Sequence, residues 1–345
     1  VVALRRLVAA VGDSHTRVYA DRTSETPPTR RLPVAFYYVK EGPIVFAIPE
    51  EHEEHAGKVV ATIGGLSMEE ARKRFSTLVA AENVSLLNLQ IADLMTDAAA
   101  LKALGFCGAD GAVAFGVVDA AGVAAAFTLR PPADADEAKK IKFKRKPDFA
   151  DFPRTADPRR PIFGSKIYAD VGTLFIWYDA CRDDGTKTVK DFVAATLDQI
   201  DAGLSATPPT FRKVVVDLRR NGGGDSRLLD PLIDGVASRA AFKERGRLAV
   251  LVGRQTFSSA VLNAWAFRRK TTAVFFGEPT GGALNHFGEI KTFRLPRSKL
   301  VVQHSTKEFR LVDGEGSTFE PDVAVEITAD RFRSARDAAF EEAVK

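Results

Sequence analysis

The second half of the chain alternates short apolar runs with amphipathic stretches. Apolar, β-branched runs at 213–218, 248–252 and 273–276 predict buried strands, because each is too short for a helix and ends at a turn. Helical spacing of apolar residues predicts helices over 189–204, 227–237 and 259–269. This alternation is typical of an α/β layer with a largely buried sheet. We therefore predict an α/β domain over 162–345.

The first half has a more mixed pattern. Helical spacing over 1–12 stops at Gly12, and Ser67 with Glu70 three residues later predicts a capping box. Residues 111–130 predict a hairpin. Residues 131–161 shift to proline and charge, which predicts a domain boundary. The predicted division is a helical segment (1–20), an α+β module (32–100), a hairpin with a charged linker (101–161) and the α/β domain (162–345).

Composition narrows the chemistry. The chain has 345 residues, 45% hydrophobic and 27% charged, which is ordinary for a globular protein. Two Cys exclude a Cys-rich zinc site, and five His leave few combinations for a metal, so we predict no metal and no cofactor. We interpret His52 and His55, which lie among four glutamates, as a solvated turn. Whether Cys107 and Cys181 pair is left open.

Charge and hydropathy exclude further classes of partner. The net charge is only +4, and we interpret the basic run at 139–146 as a solvated linker, so no nucleic-acid partner is expected. No apolar run approaches the roughly 20 residues of a membrane span. The chain opens inside a helical pattern without a signal peptide. We expect an exported protein whose signal has been removed, with a cytoplasmic location as the alternative.

Two turns follow buried strands and could carry chemistry. Gly222, Gly223 and Gly224 follow the strand at 213–218, and consecutive glycines can point N–H groups into one concavity that holds an oxyanion or a phosphate. The alternative is a tight strand-to-helix crossover. After the strand at 248–252, Ser258 and Ser259 open a helix, where a serine suits a nucleophile. The alternative is that both serines are helix caps.

Four motifs in this order resemble one family. They are DLRRNGGG at 217–224, TFSSA at 256–260, GEPTGG at 277–282 and the Pro-Asp at 321–322. Together they resemble the tail-specific (C-terminal processing) serine peptidases, the group that includes the tricorn protease core. The resemblance implies a Clp protease/crotonase-like fold for the α/β domain and a PDZ-like module within 32–100. It also implies an enzyme that cuts proteins or peptides, often near a C-terminus.

The resemblance assigns roles to particular residues. By this resemblance, Ser258 occupies the position of the family's nucleophile. The backbone N–H of Ser259 would be one donor to the oxyanion, and Gly223 or Gly224 would supply the other. Much of the family has a Lys base after the GE-x-T segment, but here 280–283 read Thr-Gly-Gly-Ala, which excludes the usual Ser–Lys dyad.

The tricorn-like branch instead uses a Ser–His pair and a Glu. Ser14 and His15 match that pair in order and position, and Glu315 matches the Glu. A histidine, with an unperturbed pKa of about 6.5, is suited to act as the base. His286 is the rival base, because it lies on the loop that holds the Lys in the other branch.

Two alternatives to a peptidase remain open at this point. One is a catalytically inactive protein of the same fold that binds a peptide or an apolar ligand. The other is an acyl-CoA enzyme whose glycine loop holds a thioester oxyanion.

Overall fold

A computed structural model describes residues 1–21, 23–25, 30–148, 150–151, 153, 155 and 157–345. Part of the predicted linker, residues 149, 152, 154 and 156, lies outside the described residues. The chain forms two compact units. The first comprises Val1–Asp151, Phe287–Glu308 and Ile327–Arg336, and the second comprises Phe152–His286, Phe309–Glu326 and Asp337–Lys345.

The described helices and strands are numbered in chain order. The helices are α1 (Val2–Ala9), α2 (Met68–Ser76), α3 (Val84–Leu94), α4 (Ala98–Ala103), α5 (Ala135–Lys140), α6 (Val189–Ser205), α7 (Asp230–Ser238), α8 (Ser259–Lys270), α9 (Ala329–Arg333) and α10 (Ala338–Ala343). The strands are β1 (Arg17–Tyr19), β2 (Ala35–Val39), β3 (Gly42–Pro49), β4 (Val59–Ile63), β5 (Leu66–Ser67), β6 (Val113–Val118), β7 (Ala124–Leu129), β8 (Phe143–Arg145), β9 (Phe163–Tyr168), β10 (Thr173–Tyr178), β11 (Lys213–Asp217), β12 (Leu248–Val252), β13 (Val274–Gly277), β14 (Asn285–Gly288), β15 (Lys291–Arg294), β16 (Val301–His304), β17 (Lys307–Arg310) and β18 (Val323–Ala324).

The second unit is built on a six-stranded sheet in the order β18-β13-β12-β11-β10-β9. Its strands are parallel except β9, which pairs antiparallel with β10. Side chains alternate between the faces: Val214 and Val216 pack towards α6, α7 and α8, whereas Val215 packs towards Phe340 of α10. Burial on both faces explains why these strands are continuous apolar runs. The mixed α/β class predicted from the sequence is confirmed.

The first unit contains an antiparallel sheet in the order β2-β3-β4-β6-β7, with β5 beside β4 and β8 beside β3. Helices α2, α3 and α4 contribute Phe75, Ile91 and Leu101 to the core on one face. Phe332 of α9 packs among Val39 and neighbouring residues in a second cluster. As the capping box predicts, the Ser67 hydroxyl accepts the Glu70 N–H, at 3.3 Å.

Smaller sheets complete the described strands. Strands β1, β16 and β15 form an antiparallel sheet of the first unit, and β14 pairs with β17. The hairpin β6–β7 joins the sheet of the preceding module rather than a separate segment, because Val59 of β4 pairs with Val118 of β6. Among the described residues, no helix has both the length and the apolarity needed to cross a bilayer.

Candidate active site

Ser258 lies in an unusual turn between β12 and α8. Its backbone has φ 53° and ψ −126°, and the Ala260 N–H donates to the Phe257 carbonyl at 3.1 Å. These are the angles of the first central residue of a type II′ turn, a position that favours glycine. A serine held in such a conformation costs about 1–3 kcal/mol. Within the described chain its side chain makes no capping hydrogen bond, so the helix-cap alternative does not account for it.

Two glycines allow backbone to lie directly against Ser258. A Cβ on Gly223 would lie 2.8 Å from the Ser258 Cβ and 3.1 Å from the Ser259 nitrogen. A Cβ on Gly282 would lie 3.1 Å from the Ser258 nitrogen. A Cβ at either position would therefore force neighbouring backbone or side-chain atoms to shift. The glycine loop after β11, the turn after β12 and the GEPTGG loop, which are separate motifs in the sequence, therefore meet in the second unit.

The backbone N–H groups of the glycine loop differ in their partners. The Gly223 N–H donates to the Asn221 side-chain oxygen at 2.9 Å. The Gly224 carbonyl accepts the Ser259 hydroxyl at 2.6 Å, which fixes Gly224 beside the start of α8. Within the described residues, neither the Gly224 N–H nor the Ser259 N–H donates an intramolecular hydrogen bond. Two N–H donors are thus left for a ligand next to Ser258.

A pairing with Cys181 orients Gly224. The Cys181 N–H donates to the Gly223 carbonyl and the Asp225 N–H donates to the Cys181 carbonyl, each at 2.9 Å. In this parallel bridge the backbone groups of Gly223 and Asp225 face Cys181. The N–H and carbonyl of Gly224 therefore point away from Cys181. Burial raises the pKa of the Cys181 thiol to about 12, which keeps this neighbour protonated.

A buried ion network holds the end of β11, from which the glycine loop leaves. Asp217 is fully buried and accepts hydrogen bonds from Arg160 at 2.8 Å and from Arg219 at 2.9 Å. Arg219 also donates to Asp337 of the same unit at 2.6 Å. Burial opposes the charge of Asp217, but the two guanidinium groups keep its pKa below the usual range. The DLRR part of the motif is therefore an anchor for the loop.

The predicted Ser–His pair lies in a buried turn of the first unit. Asp13 anchors this turn, because it accepts the His15 N–H at 2.9 Å and the Ser305 hydroxyl at 2.7 Å. The His15 carbonyl accepts a hydrogen bond from Gln303 of β16 at 2.7 Å. The His15 side chain is buried, and its Nδ1 lies 3.9 Å from the Asp13 carboxylate.

Sequence reasoning missed the partner of Ser14. The Ser14 hydroxyl donates to Glu82 Oε1 at 2.6 Å, and the Ser14 N–H donates to the same oxygen at 3.1 Å. The other oxygen of Glu82 is buried and has no hydrogen-bond partner in the described chain. Glu82 lies 68 residues beyond Ser14, at the polar break before α3, and nothing in its local pattern marks it.

The two remaining candidates belong to the second unit. Glu315 is exposed on the loop between β17 and β18. His286 is buried, stacks on Phe309 at 5.1 Å, and its Nδ1 lies 2.7 Å from the Ala283 carbonyl. Since a carbonyl only accepts, Nδ1 carries the proton and a neutral His286 has its lone pair on Nε2. His286 therefore has a tautomer that could serve as a base.

Comparisons with known proteins support the fold. No family model matches the sequence, and no curated protein matches it significantly. Solved structures of tail-specific serine peptidases resemble it, so the chain has the fold of that class and the predicted resemblance is confirmed at the level of fold.

The individual structures differ in how well they overlap. Mature CPAF has a TM-score of 0.64 and 11% sequence identity, with 99% of this chain and 85% of CPAF covered. The photosystem II D1 C-terminal processing protease has a TM-score of 0.40 and 15% identity, with coverages of 98% and 86%. The tricorn protease has a TM-score of 0.41 and 14% identity, with coverages of 96% and 30%.

Proposed function

We propose that this protein is a serine peptidase that hydrolyses peptide bonds through an acyl-enzyme on Ser258. The observation that carries the proposal is the strained turn at Ser258, packed against a glycine loop beside two uncommitted N–H donors. Backbone strain at a single polar residue persists where the surrounding structure enforces it, and it clusters at reactive sites. An inactive binding protein would have no use for this strained serine.

The reaction follows from the roles of these groups. The Ser258 hydroxyl attacks the peptide carbonyl while a histidine takes its proton, and the oxygen that becomes negative accepts from the Gly224 and Ser259 N–H groups. The tetrahedral intermediate collapses, and the histidine gives the proton to the leaving amine. Water then attacks the acyl-enzyme with the same histidine as base. We favour Gly224 over Gly223 as the donor, because the Gly223 N–H is already bound by Asn221.

We propose His15 as the base, with Ser14 and Glu315 as its supporting groups. Glu82 joins them as a positioning residue, because it holds Ser14 through two hydrogen bonds. The alternative base, His286, belongs to the same unit as Ser258 and keeps a basic Nε2 in its neutral form.

Labelling with a fluorophosphonate probe tests the nucleophile. The probe should modify the wild type and the Ser238→Ala control, whose serine is exposed on α7, and should not modify Ser258→Ala. Hydrolysis of a fluorogenic peptide should fall by about four orders of magnitude or more in Ser258→Ala. A Ser258→Ala protein that keeps the wild-type rate would refute the proposal.

Substitution of each histidine identifies the base. His15→Ala should reduce kcat/KM by several orders of magnitude, while His304→Ala, in β16, should leave it within a factor of about two. If His286→Ala abolishes activity and His15→Ala does not, His286 is the base and the assignment to the tricorn-like pattern is wrong.

We propose that the α/β unit is crotonase-like and that 32–100 is a PDZ-like module that recognises substrate C-termini. A peptide with a free C-terminus should then be cleaved with a lower KM than its C-terminally amidated form. Equal KM values would argue against C-terminal recognition. We also propose that the protein is exported, which fractionation of the source cells would test.

A further inference from the structure

The connection between β3 and β4 carries two histidines and a glutamate that converge. The segment Glu50–His55 forms a 3-10 turn between the two strands. Each of His52, Glu54 and His55 has a ring nitrogen or carboxylate oxygen that lies within 4.8 Å of those of the other two. The three-residue spacing of His52 and His55 suits this placement, because side chains three positions apart coincide in a 3-10 helix. The peptidase chemistry proposed above uses none of these side chains.

Packing against one aromatic ring orients both histidines. His55 stacks on Phe127 of β7 with ring centroids 5.0 Å apart, and His52 lies 6.0 Å from the same ring. The centroids of the two histidine rings are 6.3 Å apart. Phe127 is itself buried in the core of the first unit. The two imidazoles are therefore held on a rigid surface rather than on a freely moving loop.

One ring nitrogen of His55 is buried without a partner, and the other lies beside Glu54. The His55 side chain is about nine-tenths buried, and Nδ1 has no hydrogen-bond partner among the described residues. Nε2 lies 3.0 Å from a carboxylate oxygen of Glu54. A buried polar atom without a partner is uncommon in native proteins and often marks a missing water or ion.

The surrounding charge favours a cation. Glu50, Glu51 and Glu53 flank the three residues in the same turn. Lys144 lies 3.6 Å from Glu53, so one of these negative charges is offset. Glu54 has only His55 as its ion-pair partner in the described chain, and its carboxylate is more than half exposed. Because this carboxylate is exposed, water could reach a bound ion and occupy the coordination positions that the protein does not fill.

We propose that His52, Glu54 and His55 bind one Zn²⁺ ion, with water as the fourth ligand. Two imidazoles and one carboxylate form a donor set that suits zinc, whereas magnesium prefers oxygen ligands alone. Tetrahedral zinc places its ligand atoms about 3.3 Å apart. The exposed Glu54 and partly exposed His52 side chains therefore need to move by at most about 1.5 Å. The bound ion would connect the middle of the 3-10 turn to its end and stabilise the β3–β4 connection.

Isothermal titration with zinc chloride tests the proposal on the chelator-treated full chain. The wild type should bind one ion per chain with a micromolar dissociation constant, and magnesium chloride should give no binding heat. His52→Ala and His55→Ala should each weaken zinc binding by at least about tenfold. Zinc should also raise the melting temperature of the wild type but not that of His52→Ala. If His55→Ala does not fold, His52→Ala still decides the outcome.

Adjacent glutamates provide the matched control. Glu54→Gln should weaken zinc binding, while Glu53→Gln, on the neighbouring exposed position, should not. Equal loss in both variants would mean unspecific attraction to acidic charge and would overturn the site. Glu82→Gln serves as a second control, because Asp13, His15 and Glu82 form another group of compatible side chains among the described residues. If Glu82→Gln loses zinc binding while His52→Ala retains it, the proposal is overturned. It is also overturned if the wild type binds no zinc at a concentration of about 1 mM.

Discussion

Substituting Ser258 with glycine should abolish hydrolysis and make the protein more stable. The turn at Ser258 has φ 53° and ψ −126°, a conformation that glycine adopts without steric cost. Ser258→Ala removes the same hydroxyl but keeps a Cβ in the strained conformation. The two variants therefore separate the loss of the nucleophile from the release of backbone strain.

The magnitude follows from two opposing contributions. Relief of the strained conformation is worth about 1–3 kcal/mol. Glycine also gives the unfolded chain more conformational freedom, which costs about 0.5–1 kcal/mol. We expect Ser258→Gly to exceed Ser258→Ala by about 1 kcal/mol in the free energy of unfolding. For a unit of this size that corresponds to a melting temperature higher by about 3 °C.

Thermal and urea unfolding of wild type, Ser258→Ala and Ser258→Gly measure this difference directly. Both variants should lack peptidase activity and fluorophosphonate labelling, and Ser258→Gly should unfold last. A Ser258→Gly protein that is no more stable than Ser258→Ala would refute the reasoning, because the turn would then store no strain. The result does not depend on which histidine acts as the base.

Three further predictions concern the surroundings of this turn. Gly223→Ala should destabilise the protein by about 2 kcal/mol and lower kcat/KM by at least about 100-fold, because Gly223 has φ +104° and its Cβ would lie 2.8 Å from the Ser258 Cβ. Gly222→Ala is the control, because its Cβ meets nothing within 4 Å, and unfolding and activity assays should show little change in stability or in kcat/KM. Asp217→Asn should lower the free energy of unfolding by about 3–5 kcal/mol, because it leaves two guanidinium groups short of a buried negative charge; a change below about 1 kcal/mol in urea unfolding would contradict the anchoring role. Both cysteines are free in the structure, and iodoacetamide at pH 8 should modify the half-buried Cys107 well before the buried Cys181, whose pKa is about 12, with both reacting at similar rates in urea.

The sheet of the second unit could be predicted because its physical signals are local. A strand buried on both faces is a short, continuous apolar run, so 248–252 predicts β12 with its observed bounds. The strand at 213–218 and the helix at 259–269 each end within one residue of the observed β11 and α8. The capping box at Ser67 is likewise a local signal. Such elements carry their own evidence in the sequence.

Two other features could not be predicted from local sequence. They are the segments that complete the first unit and the contacts of the candidate site residues. Phe287–Glu308 and Ile327–Arg336 belong to the first unit although they lie within the α/β domain predicted over 162–345. Only long-range strand pairing, such as that of β1 with β16, places them there. The same holds for Glu82, which reaches Ser14 across 68 positions. From sequence alone, a serine at the start of a helix predicts an ordinary cap. The positive φ of Ser258 is imposed by the surrounding backbone and leaves no mark in the local sequence.

The interleaving of the two units constrains how this chain can be made and cut. The first unit needs residues up to 336, and the second takes its last helix from Asp337–Lys345. During synthesis, the first unit cannot complete its core before residues 327–336 have left the ribosome, and the second cannot do so before residues 337–345 have. A protease that removed the segment after 326 would strip α9 from one unit and α10 from the other. A chain that ends at 326 would therefore be incomplete in both units at once, and no contiguous fragment consists of one complete unit alone.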